Sequence, residues 1–151
     1  MTKTVSKSRV TEPKERIAND DAKLFEDFPV GSVSHQGDLM LVSIGSFPKS
    51  AKPRVNRQLA DGSTQGSRHV LQNGSVFDAD ANEVSQLIFQ ATKCRVETGY
   101  IGPVFVSPTA PTENDLTHPE HGNQGFPAGT VCAVVFQRNL DAEEREVRSS
   151  D

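Results

Sequence analysis

Two of the chain's four histidines lie three residues apart in Thr-His-Pro-Glu-His-Gly, residues 117–122, and a third, His69, stands well upstream. Neutral imidazole is the commonest protein ligand for zinc and other first-row metals, and a general acid or base near neutral pH. A zinc site needs three or four donors converging at about 2.0–2.2 Å. His69, His118 and His121 supply three nitrogens, with Glu120 or a water as the fourth donor. An open fourth position lowers the pKa of a bound water, which is the chemistry of metal-dependent hydrolases. No cofactor is assigned; a divalent transition metal, zinc first, is the one this cluster would take. The pair lacks the helical His-Glu-x-x-His register of metalloproteases. The competing expectation is that these histidines only hydrogen-bond, fixing a long loop over a sheet.

Other chemistry-bearing groups are weaker. Ser63, Thr64 and Ser67 lie near His69, but no strained Gly-x-Ser-x-Gly elbow is present and no acid is placed to orient the imidazole. Gly62 to Gly66 lacks the Gly-Lys-Ser/Thr that cradles phosphate. Asp78 and Asp80 read as turn or cap residues, and His35 as an exposed residue at a strand start. No catalytic residue is assigned.

The elements that must position the histidines follow from pattern. With 151 residues the chain is one domain and long enough to bury a core, yet its hydrophobic fraction of 34%, with no Trp and one Tyr, is low. That polar excess is placed at the ends. Residues 1–28 form a polar arm carrying Lys3, Lys7, Arg9, Lys14 and Arg16, followed by Phe25 and Phe28 at i, i+3, which meet the body as one docking helix or turn. All seven are expected to serve contacts with a partner or a neighbouring subunit. Residues 141–151 form an acidic tail with Asp141, Glu143, Glu144, Glu146 and Asp151, and residues 29–140 form the single β-rich domain.

Within that domain, residues 38–44 read as a strand and residues 80–93 as an amphipathic helix, because Val84, Leu87, Ile88 and Ala91 recur at helical spacing behind a cap at Asp78 or Asp80. Asn73-Gly74 predicts a hairpin between strands at residues 68–71 and 75–79. Short strands are expected at residues 94–97 and 101–106, with Pro103 making the second an edge strand or splitting it. Residues 107–129 are the longest loop. Residues 130–138, apolar on both faces, form a central strand. The fold class is mainly β, a barrel or sandwich of about six or seven short strands with one helix and two terminal arms.

Cys94 and Cys132 each lie in an apolar stretch and are expected to be reduced and buried rather than paired. No membrane span and no secretory leader is read, which predicts a soluble protein made in the cytoplasm. A formal net charge of -4 argues against a nucleic-acid partner.

The order Gln36-Gly37-Asp38-Leu39, then Thr64-Gln65-Gly66-Ser67-Arg68-His69, then Leu116-Thr117-His118-Pro119-Glu120-His121-Gly122, then Pro127-Ala128-Gly129 and Val134-Val135-Phe136-Gln137-Arg138 resembles a small family of uncharacterised bacterial and phage proteins. Members show a Gly-Asp-Val start, Thr-Gly-His-x-His, His-x-Glu-His, and Pro-x-Gly leading to a strand that ends in Gln-Arg-Glu. The resemblance covers residues 36–138 and neither arm. It implies no established activity. Ser67 stands where the family has the first histidine of its pair, and Asn139 where it has Glu.

Two functions are expected from these readings. The first is a non-enzymatic structural or assembly protein, in particular a phage virion component such as a capsid decoration protein, whose arms contact other subunits. The second is a histidine-dependent metal-binding protein, including a metal-dependent hydrolase.

Overall fold

The computed structural model describes residues 22–60 and 69–137. The five basic arm residues, the segment 61–68 and the acidic tail lie outside the described residues. Among those described, ten strands form two sheets, with one α-helix on the outer face of the larger. In chain order the strands are β1 (Lys23–Leu24), β2 (Val33–Gln36), β3 (Leu39–Ser43), β4 (Lys52–Pro53), β5 (Val70–Leu71), β6 (Ser75–Asp78), β7 (Ile101–Val106), β8 (Leu116–Thr117), β9 (Gln124–Gly125) and β10 (Val131–Phe136); helix α1 (Ala81–Thr92) follows β6. The large sheet runs β2-β3-β10-β7-β6-β4 and is antiparallel throughout. The small sheet runs β1-β9-β8-β5, with β1 parallel to β9. Among the described residues no sheet closes into a barrel, and the two sheets are compatible with a sandwich-like arrangement.

Strand periodicity explains the layering. On β10, Cys132, Val134 and Phe136 face the space between the sheets, while Ala133 and Val135 face the helix. β3 divides in the same way, Leu39 and Leu41 inward and Val42 toward the helix. β10 is central, between β3 and β7, as its two apolar faces predict. Helix α1 buries Val84 and Ile88, each contributing roughly 1.5–3 kcal/mol by leaving water. Its start is capped by Asp80, whose carboxylate accepts the Glu83 N–H at 3.1 Å. The Glu83 carboxylate accepts the Ser50 hydroxyl (2.5 Å) and the N–H groups of Lys49 (2.6 Å) and Ser50 (3.0 Å). These bonds, the Ser50 hydroxyl first, hold its pKa below the usual carboxylate value and tie the helix to the 48–50 turn.

Several expectations are corrected. Asn73-Gly74 is not a hairpin turn: β5 pairs with β8 in the small sheet and β6 with β7 in the large one, so the chain changes sheets at this corner. Residues 94–97 are not a strand, and β7 is not an edge strand, since it lies between β10 and β6. Pro103 is tolerated there because the β7–β10 register shifts beside it, a bulge that removes one ladder bond. The long loop carries two strands of its own, β8 and β9. Asp78 does not cap the helix but pairs with Arg54 at 3.1 Å. Both thiols are free, and Cys132 is buried, where desolvation pushes its pKa up, but Cys94 is exposed. Phe25 and Phe28, expected as partner contacts, lie in this chain's own core. Their rings sit 5.4 and 4.9 Å from that of Phe126, and the chain there bends at Glu26 without forming a helix.

Candidate functional site

The pairing of β5 with β8 brings His69, the residue before β5, against the segment between β8 and β9 that carries His118 and His121. The His69 and His118 ring centroids are 4.3 Å apart, those of His118 and His121 4.5 Å, and those of His69 and His121 6.4 Å with the rings nearly parallel. His69 is 1% exposed and His118 5%, whereas His121 and Glu120 are exposed. The fourth, His35, stands on β2 with its side chain exposed.

A residue without a sequence signature organises this cluster. Gln36 is 1% exposed, because the alternation on β2 turns Ser34 and Gln36 inward and Val33 and His35 outward. Its side-chain Nε2 donates to the backbone carbonyls of Leu116 (3.1 Å) and Gly122 (2.9 Å), and its Oε1 lies 2.8 Å from His69 Nδ1. Carbonyls only accept, so the amide orientation is settled by the two loop carbonyls. His69 Nδ1 therefore carries the proton and donates to Oε1. On His118 the roles are reversed: Nδ1 accepts the backbone N–H of Glu120 at 3.0 Å, which leaves the proton of the neutral ring on Nε2. Glu120 thus meets the cluster through its backbone, not its carboxylate.

Burial, with His118 and His121 alongside, lowers the His69 pKa from 6.5 to about 3. His69 is a neutral, hydrogen-bonding ring at any physiological pH. Among the described residues, no three His, Cys, Asp or Glu side chains are arranged to hold a metal ion. What the donors do is stitch: the Gln36 amide ties β2 to the 116–122 segment and to His69, and His118 Nδ1 folds that segment on itself by accepting the Glu120 N–H.

A second glutamine closes the same seam. Gln124 Oε1 accepts the Ser34 hydroxyl at 2.7 Å, and its Nε2 donates to the His35 carbonyl at 2.6 Å. This side chain covers part of the outer edge of β2, the end strand of the large sheet. At the opposite end, β4 carries Lys52 and Pro53, residues that discourage further strand pairing.

Gly37 lets the cluster close over the turn. Its φ is +58°, and a Cβ there would lie 2.6 Å from His121 Cδ2, 2.7 Å from His121 Nε2 and 3.3 Å from His69 Cε1. Gly37→Ala should cost about 1–2 kcal/mol of stability from the left-handed backbone alone. Exposed His121 can swing away, so the variant should fold with the His121 ring signals shifted in NMR spectra and those of His69 little changed.

Residues 35–135 match a family described as a domain of unknown function (DUF8820), and the chain belongs to that family. The matched span contains all four histidines, Gln36 and Gln124, and stops short of both terminal segments. No curated protein and no solved structure matches the chain.

Proposed function

We propose that this chain is a non-enzymatic structural protein that acts by assembly, with a capsid decoration protein of a phage as its particular form. The observation that carries the reading is how the histidine cluster is used among the described residues. His69, His118 and Gln36 are committed to one another and to backbone groups, and a reacting substrate needs an acid, base or nucleophile held for it. The two ends of the large sheet are dressed by Gln124 and by Lys52 with Pro53, which favours a body that does not polymerise through its own edges.

Contacts with other subunits then fall to the terminal segments. Lys3, Lys7, Arg9, Lys14 and Arg16 at one end complement Asp141, Glu143, Glu144, Glu146 and Asp151 at the other. The resemblance to phage proteins supports the virion setting.

Sedimentation of the full chain tests this. The protein should form an assembled species that collapses to a folded monomer when residues 1–21 are removed, a truncation that spares Phe25 and Phe28 in the core. The same truncation should abolish incorporation into a particle. A full chain that stays monomeric at every concentration, or one that assembles equally well without the arm, would overturn the reading.

A further inference from the structure

The corner at Asn73-Gly74 has a chemistry of its own. Gly74 has φ +112°, and a Cβ would lie 2.5 Å from the Val106 carbonyl oxygen, so this position admits only glycine. Asn73 is exposed, yet its Nδ2 donates to Asp115 Oδ1 at 3.0 Å, and that carboxylate is 2% exposed. The fold thus places a glycine, whose backbone nitrogen is the least hindered of any residue's, directly after an asparagine that it uses as a donor.

We infer that Asn73 is a site of spontaneous deamidation, and that its conversion loosens the loop segment carrying His118. The Gly74 backbone nitrogen attacks Asn73 Cγ and loses its proton as the N–Cγ bond forms. The Cγ–Nδ2 bond breaks, ammonia departs with that proton, and a five-membered succinimide remains. Water then opens the ring at either carbonyl to give aspartate or isoaspartate. Only water is consumed, and no oxidant or enzyme is needed.

The product is costly because of where the side chain sits. Asp115 already accepts the Thr112 backbone N–H and the Thr112 hydroxyl, each at 2.9 Å, and cannot turn away without losing them. A carboxylate at residue 73 puts acceptor against acceptor and charge against charge across a half-buried contact. The strain falls on a segment that is part of the stitching: the Asp115 carbonyl accepts the Gln72 N–H at 2.6 Å, and the next carbonyl, that of Leu116, is held by Gln36.

Two measurements on the full-length protein test this. Incubated at mildly alkaline pH, it should gain the mass of one amide-to-acid exchange, with aspartate and isoaspartate mapped to residue 73, and do so several-fold more slowly at mildly acidic pH. Asn73 left intact over a period in which a free peptide of residues 70–78 converts completely would overturn the site. Separately, Asn73→Asp should lower the melting temperature by roughly 3 °C or more. Combining it with Asp115→Asn, which exchanges amide and carboxylate across the contact, should regain at least half of that loss. An unchanged melting temperature in the single variant would overturn the loosening, as would a pair of changes that simply add.

Discussion

Replacing Gln36 with leucine should cost the protein about 3–5 kcal/mol, a large share of the 5–15 kcal/mol by which a domain of this size is stable. The two side chains are of similar volume, so little cavity is created. What is lost is polar. His69 Nδ1–H and the Leu116 carbonyl lose their partner in a buried setting and the Gly122 carbonyl in a half-buried one, and each orphaned buried group costs about 1–3 kcal/mol. Denaturant melts would read the total. Hydrogen exchange would read the location: amides of residues 116–125 should lose protection well before those of β10, which sits at the centre of the large sheet. A loss below about 1 kcal/mol would mean that the histidines and the loop are held by something other than this amide.

The contrast between Gln36 and the histidines shows what a sequence carries about such a site. Three imidazoles in a chain with few histidines announce themselves by type, and the structure does bring His69, His118 and His121 together. Their roles were not legible, because a ring nitrogen is donor or acceptor according to the atom opposite it. Here those atoms are a side-chain carbonyl of Gln36 and a backbone N–H of Glu120, neither of which a motif records. A lone glutamine has no signature. The one available clue was parity: taking the strand as ending at the Gly37 turn puts Ser34 and Gln36 on one face, and an inward amide needs partners.

The fold divides along the same line between local and long-range information. Helix α1 was readable, and its cap was narrowed to Asp78 or Asp80, because a 3.6-residue period and a capping carboxylate are properties of a few neighbouring residues. The central place of β10 was readable because both of its faces are apolar. Asn73-Gly74 gave a correct signal for a sharp change of direction and a wrong pairing, since the partners of β5 and β6 come from residues 116–117 and 104–106. Strands of two residues, such as β8 and β9, are too short to show a period. Phe25 and Phe28 stood out as an apolar pair among charges, and the contact with the body expected of them is made with Phe126.

Stability should fall on acidification from about pH 6.5, and His69 should be responsible for one proton's worth of the slope. The sign follows from the two states. An unfolded His69 takes up a proton near pH 6.5, whereas the folded one, desolvated and next to two other imidazoles, does so only near pH 3. Between those values the unfolded state holds the extra proton, so stability decreases as pH falls through this window, by about 1.4 kcal/mol per pH unit for a single site. Above pH 6.5 the residue contributes no slope, and below about pH 3 the contribution levels off. His69→Gln supplies the test, because a glutamine amide can donate to Gln36 Oε1 as the imidazole does but has no proton to gain. The variant should be somewhat less stable at pH 8 and should lose stability less steeply between pH 6 and 4, the two curves converging as the pH drops. The carboxylates titrating in that range are common to both proteins and cancel in the difference. Parallel curves would mean that His69 is already charged or water-accessible in the folded protein, and the neutral stitch between β2 and the residue before β5 would have to be abandoned.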